Sequence, residues 1–483
     1  MSCHRLYLLL AVALLVIPLH ADALFTAAQT GDLAGVREMV TAKPELANAK
    51  NNVGSTVLMW AALYGRAPVV AWLLDHGADV AASNGAGVTA LHLAAMQGRA
   101  DVVAALIKGG ADVHAAAQGL FQRTPLHEAI NQGAAAALLA AGADPNAVTT
   151  FGETPLYTAT KRGNIDVMLA LLEKGAEVDH AATTPDADTP AQLALQEGNS
   201  NAADLLIQHG AKLTQTDHAG HALLPLACGN HCLSTVKLLL ENGVDVNALD
   251  NAHDSALISA ARADDTEIVA LLLENGAKVD LAGANGTTPI FYAKSVAVAN
   301  LLLQHGAKLA VVAADGVQPI HYAARAADRD TVALFLDKGE DANARDKQGR
   351  TPILWAAMAA GKEKEGSNRK EIIALLVAKG AVFNARANDG ATALHYATQW
   401  GQRDTIIYLI SNGMDVNARD NGGFTPLHWA AQDDKRKDML ALLIMKGANV
   451  NARAQDGRTP LAIAHKAKQQ ANIDILRQYM AVE

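Results

Sequence analysis

Six side chains able to ligate a metal or move a proton fall within 36 residues: His218, His221, Cys228, His231, Cys232 and His253. Cys228, His231 and Cys232 could present soft ligands to zinc or copper at one helix end. His218, His221 and His253 fall in turns at the other end of their segments, so a four-ligand centre is awkward to close. An i,i+4 disulfide between Cys228 and Cys232 lies near the upper limit of the separation such a bond spans. A second set is spread along the chain: His92, His127, His321, His395 and His428, each closing a Thr-Pro-Leu-His-like tetrad. Such a ladder invites metal or acid–base chemistry, yet each ring can as well bond nearby backbone and tie its segment to the next. His76, His209 and His305, each before Gly-Ala, belong to the same repetition. No Gly-x-Ser-x-Gly, His-Glu-x-x-His, phosphate loop or paired Cys-x-x-Cys occurs. An enzyme is therefore not expected, nor a cofactor or a resident metal.

The elements that carry these residues are built from small side chains. Half of the 483 residues are apolar, yet only 4% are aromatic, so Ala, Leu and Val fill the interior. Charged residues at 18% exclude a disordered chain, and three Cys exclude a disulfide framework. The net charge of −9 gives no reason to expect nucleic acid or an anionic membrane as partner.

The first residues read as an address. Arg5, an apolar run from Leu6 to Ile17 and Ala21-Asp22-Ala23 make the three parts of a secretory signal. A signal over 1–23 is expected, with a mature chain starting near Leu24, periplasmic or secreted, and no membrane insertion once the signal is removed. Sparing use of Cys fits an oxidising space.

From there one unit repeats. Its starts fall at 22, 56, 89, 124, 154, 189, 222, 255, 288, 318, 351, 392, 425 and 459, fourteen units averaging 33 residues over 24–483 with none left for a second domain. Thr opens ten of the thirteen later units as helix N-cap, with Ala222, Ser255 and Gln318 the exceptions. Pro follows eight of the starts, at a helical position where no donor is missed. Ala pairs such as Ala94-Ala95 let two helices approach. A second helix with a stripe such as Val102, Val103, Leu106 and Ile107 ends in Gly-Ala, where Gly suits a left-handed cap. A polar turn such as Asp389-Gly390 leads to the next start.

The Thr-Pro-Leu-His-x-Ala-Ala, the apolar second helix, the Gly-Ala-Asp-Val-Asn-Ala and the Asp-x-x-Gly turn resemble the ankyrin repeat. The resemblance implies an all-α solenoid of about fourteen helix–turn–helix units with β-hairpin loops. It also implies a concave groove, bordered by the first helices and the hairpin tips, that binds a protein partner.

Departures mark particular units. Those starting at 124 and 288 are three residues short, and the loss is expected in their second helices, at Ala134 to Ala137 and Val296 to Asn300. The unit from 351 carries an eight-residue insertion, expected as a solvated loop over 361–370. Ala222 and Pro225 make the unit from 222 the expected weak joint.

Counting each start as zero, position +4 reads Tyr292, Tyr322, Trp355, Tyr396 and Trp429 in five consecutive units. Trp60 holds it in the unit from 56, and Trp400 adds a ring at +8. These seven are the candidate partner-binding residues, because rigid aromatics with a polar edge are the usual anchors of interfaces; rings packed between half-buried neighbours are the rival reading. Arg345, Arg386, Arg419 and Arg453 form a ladder that Asp346, Asp389, Asp420 and Asp456 are expected to neutralise. Residues 24–250 carry 12 basic and 22 acidic side chains, net −10, and residues 251–483 carry 27 and 26, net +1, which points to a partner engaged by the C-terminal half. The expected function is a non-enzymatic scaffold in an exported, bacterial-type chain. The alternatives are a metal- or small-ligand-binding protein using Cys228, His231 and Cys232, or a translocated effector binding host proteins.

Overall fold

The computed structural model describes residues 19–184, 188–358 and 369–482. Residues 1–18 of the expected signal and 361–368 of the expected loop lie outside them. Among the described residues there are 27 α-helices and no strand, which meets the all-α expectation. Contacts gather the chain into two compact units, Met1–Val244 and Asp245–Glu483, each built of helix pairs.

In the first unit, Val57–Leu63 packs on Ala90–Met96, and that helix on Pro125–Glu128. The second helices Ala67–Asp75, Ala100–Lys108 and Gln132–Ala140 stack alongside. The second unit repeats the plan through Pro319–Ala326, Pro352–Ala357, Ala393–Trp400 and Pro426–Ala430. An inner helix lies between neighbours, so Ala90, Leu91, His92, Leu93, Ala94 and Ala95 are all buried. An outer helix has one covered face, and Ala100–Lys108 buries only Val102, Val103 and Leu106. Ala94 and Ala95 have no exposed surface at all, which is why the pair must be small.

Three hydrogen-bonding devices join neighbours. The first is the imidazole at +3. His395 Nδ1 accepts the Thr392 N–H at 3.2 Å and lies 3.0 Å from its hydroxyl, while Nε2 donates across to Phe424 O at 3.1 Å. His92, His127 and His428 repeat the arrangement onto Arg123, Glu153 and Arg458, and His321 caps Gln318 and reaches Arg350. In several units where +3 is not His the start hydroxyl caps the N3 amide, as in Thr154 to Tyr157 at 3.1 Å, whereas Thr288 and Thr351 do not. The second device is the Asn of Asp-Val-Asn-Ala. Asn343 Nδ2 donates to Gly380 O at 2.9 Å and its Oδ1 accepts from Val382 N at 2.8 Å; Asn48, Asn247, Asn417 and Asn451 do likewise. The third links tips by backbone, as in Lys347 N to Asp315 O, Asn388 N to Gln348 O and Asn421 N to Asp389 O.

The expected hairpin loops are single bridges, such as Ser83 with Thr89 and Leu249 with Ser255. The turn closes too tightly for strands: Asn84 Oδ1 accepts from both Ala86 and Val88, and Asp346 Oδ1 from both Gln348 and Arg350.

Both short units correct the sequence reading. Their outer helices, Gln132–Ala140 and Val296–Gln304, keep the nine residues found elsewhere. The lost turn belongs to the inner helices, cut to Pro125–Glu128 and the 3-10 segment Pro289–Tyr292. Asn131 and Ser295 cap the outer helices and so fix where each inner helix must stop. In the first of these, Arg162 of the next repeat bonds His127 O at 2.9 Å. It also grips the buried Glu128 at 2.9 Å, which Arg123 holds from the other side at 3.2 Å.

In the unit from 222, Ala222 supplies no cap, but Pro225 stands where a helix needs no N–H, and Leu223–Gly229 forms. At Gln318, the Glu340 carboxylate accepts from Ile320 N at 3.4 Å and supplies the acceptor for that helix start.

Burial holds all five ladder imidazoles below their ordinary range, His127 and His395 at about 4. The unfolded chain protonates His127 and His395 near pH 6.5 and the folded chain only near 4. Stability is therefore full above that window and falls through it on acidification, by up to about 1.4 kcal/mol per ring per pH unit. Burial lifts Glu340 to about 7, which acts the other way with one group. His395→Gln is expected to flatten the fall in melting temperature between pH 7 and pH 5. Gln192 shows that Gln can accept the cap N–H, at 2.7 Å, although its Nε2 finds no partner. At pH 7.5 the variant should therefore lose only about 1 kcal/mol; an unchanged acid slope would show that His395 is not among the titrating groups. Glu128→Ala leaves two arginines facing a buried site and is expected to cost about 3–5 kcal/mol in urea unfolding. A loss too small to measure would mean that water replaces the carboxylate.

Candidate partner-binding surface

The rings at +4 divide by what their own hairpins supply. Trp355 is 5% exposed, and its indole N–H donates to Asp346 Oδ2 at 2.9 Å. Trp429 makes the same bond to Asp420 Oδ2 at 3.0 Å, nine residues back, but remains half-buried. Tyr396 is 7% exposed, and burial pushes its hydroxyl up to about 12. Trp60, Tyr292 and Tyr322 are half-buried. Trp400 is also half-buried, with its indole nitrogen covered and unpartnered. The seven candidates thus differ in exposure: Trp60 in the first unit, and Tyr292, Tyr322, Trp400 and Trp429 in the second, are open, while Trp355 and Tyr396 are closed.

Within the second unit the rings touch in two groups, Tyr292 with Tyr322 and Trp355, and Tyr396 with Trp429. Tyr292 meets Tyr322 at 5.5 Å, Tyr322 meets Trp355 at 5.6 Å, and Tyr396 meets Trp429 at 5.7 Å. Cations already lie over two of them. Arg262, itself held by Asp254, sits 4.6 Å from the Tyr292 ring, and Arg350 sits 5.1 Å from Trp355. Trp60 belongs to the first unit, where it packs edge-on against Phe25 at 5.7 Å and beside Tyr64 at 5.8 Å.

Sequence reading missed Glu128, which holds +4 in the repeat from 124. Its network continues from Arg123 to Glu153 at 2.7 Å and on to Lys161 at 3.4 Å. The Asp-x8-Trp spacing of Asp346 with Trp355 and Asp420 with Trp429 was the other signal available and unused.

The cysteine cluster disperses. Cys228 and Cys232 are thiols with no exposed surface, Cys228 inside Leu223–Gly229 and Cys232 at the N-cap of Leu233–Glu241. Burial pushes the Cys232 thiol up, away from the thiolate that a soft metal needs. His218 and His221 turn to carboxylates instead, His218 to Asp188 at 2.8 Å and His221 to Asp217 at 3.1 Å. Gln196 bridges the two Asp through Nε2, at 2.7 and 3.2 Å. Asp188, Asp217 and His218 stand close enough to share a metal, but hydrogen bonds within the group already account for them.

The arginine ladder is not neutralised as expected. Asp346 is taken by Arg350 and Trp355, Asp420 by Trp429 and Asp456 by Arg458. The ladder guanidiniums turn to backbone instead. Arg345 Nη1 donates to Gly349 O at 3.0 Å and Arg386 O at 3.1 Å, and Arg386 Nη1 to Gly390 O at 2.8 Å and Arg419 O at 2.6 Å.

Among the described residues, no helix is long and apolar enough to cross a membrane. A 60-residue stretch, 12% of the chain, is 42% identical to the palmitoyltransferase akr1 of Schizosaccharomyces pombe and covers 9% of that protein. The family description "Ankyrin repeats (3 copies)" matches in overlapping windows at 24–117, 81–149, 126–217, 223–313, 297–386, 320–420 and 358–454. With helix pairs, imidazole caps and bridged tips repeating through the same spans, the chain belongs to the ankyrin-repeat family.

Proposed function

We infer that the chain is a non-enzymatic scaffold that holds a protein partner against the first helices and hairpins of its repeats, in the periplasm or outside the cell. The observation that carries this reading is the set of half-buried rings at one repeat position, Tyr292, Tyr322 and Trp429, in a chain of which only 4% is aromatic. A ring with one covered face and one open edge offers apolar area at little entropic cost. Ankyrin repeats as a family bind proteins, and repetition leaves no stretch for an active site. The short likeness to a palmitoyltransferase covers too little of either protein to carry an activity across. Export rests on Arg5, the apolar run Leu6 to Ile17 and Ala21-Asp22-Ala23.

The test compares open and closed rings in an affinity capture from the native envelope fraction. Tyr322→Ala with Trp429→Ala should reduce partner capture at least tenfold while moving the melting temperature by only a few degrees. Trp355→Phe should do the reverse: it removes one of the two hydrogen bonds that the buried Asp346 Oδ2 accepts, leaving the one from Arg350, costs about 1–3 kcal/mol, and leaves capture by the folded protein intact. Capture unaffected by the double variant would make the rings packing alone. An unprocessed N-terminus in cytosolic fractions would remove the exported part of the reading.

A further inference from the structure

Position −6 of each repeat stands at the hairpin edge, and the fold does not require a cation there. In other repeats it is Val148, Leu249 and Val312, with 50%, 41% and 60% of their surface exposed. In the unit from 56 it is Lys50, and in the four units from 351 onward it is Arg345, Arg386, Arg419 and Arg453, all exposed. Among the described residues no carboxylate pairs with Arg345, Arg386 or Arg419; Asp346 and Asp420 turn into their hairpins, and Asp456 is held by Arg458. Asp389, exposed at the same edge, is engaged by the Ala391 amide at 2.9 Å and the Tyr396 hydroxyl. Arg345 and Arg386 are fixed by one nitrogen to two backbone carbonyls each, so the rest of each guanidinium fork is held outward before anything binds.

We propose that this edge of the second unit docks an extended acidic peptide segment whose carboxylates recur at every third residue. This rests on the reading of the chain as a protein-binding scaffold and names the chemistry of the partner. Stacked helices repeat at about 8–10 Å, and a peptide extended as a polyproline II helix rises about 3.1 Å per residue with three residues per turn, so every third side chain lies on one face and meets the next guanidinium. Arg345, Arg386 and Arg419 keep donors for a carboxylate, whose two oxygens match the fork. Lys347, exposed one tip position beyond Arg345, adds to the field. A polyphosphate chain is disfavoured by the net charge of −9 and by the +4 rings, which are packed on one another and not laid open as stacking platforms.

The experiment uses the full chain and fluorescein-labelled 13-residue peptides in anisotropy titrations. One carries five Glu spaced by two Ser or Ala; an isomer carries the same five Glu in a block; a single-stranded DNA of equal charge is the third probe. The spaced peptide is expected to bind at least tenfold tighter than the other two, and more weakly as salt rises. Arg419→Gln, at a residue without the double backbone bond, should weaken it at least fivefold with the melting temperature unchanged. Arg386→Lys, which keeps the charge but loses the fork, should weaken it by less than Arg386→Gln does. Equal binding of the block isomer or the DNA, or unchanged affinity in Arg419→Gln, overturns the proposal. Tyr322→Ala should leave peptide affinity unchanged, so the ladder and the ring surface fail or stand by separate readouts.

Discussion

Each inner helix is enclosed by its neighbours, so neither its first amides nor the carbonyls of the adjoining hairpin can rely on water. The imidazole at +3 answers both needs with one flat ring, accepting from the cap residue at Nδ1 and donating to the next repeat at Nε2. Burial keeps it neutral, which makes one nitrogen an acceptor and the other a donor. Residues that stand in for it do half the work. Gln192 accepts at the cap but leaves its Nε2 unsatisfied, and Met59 offers a sulfur to Thr56 N at 3.4 Å.

The hairpins show how the same few residues serve fold and surface at once. Successive side chains of an extended segment point to opposite sides, so Asp346 turns in to close the turn and hold Trp355 while Arg345 turns out. Inward positions are bound by the needs of the stack. Outward ones vary freely, from Val312 to Arg345, and that freedom is where a partner's chemistry can be written.

Much of this was legible in sequence because each repeat spells its own caps. Thr-Pro starts, Gly-Ala ends and Ala pairs located nearly every helix, and the tie between neighbours by His395 was readable from its place in the tetrad. The misplaced deletions show the limit. The Ala134 to Ala137 run is helical in either alignment, and only Asn131, a cap three residues before it, says that the inner helix gave way. The Arg-Asp pairs misled because adjacency along a chain is not adjacency in space when the backbone is extended. Which ring is open depended on something further still, a hairpin aspartate nine residues away in the cases of Trp355 and Trp429.

The asparagine clamp carries one more consequence. Asn343 fastens one repeat to the next through Gly380 and Val382 and reaches no farther, as Asn417 does through Gly447 and Asn449. Among the described residues, cohesion inside each compact unit thus comes from short-range fastenings between neighbouring repeats. A chain joined in this way responds to tension like a zip fastener and not like a knot: pulled from its ends, each unit would lengthen in steps of one repeat, and a released repeat would find its template still folded beside it.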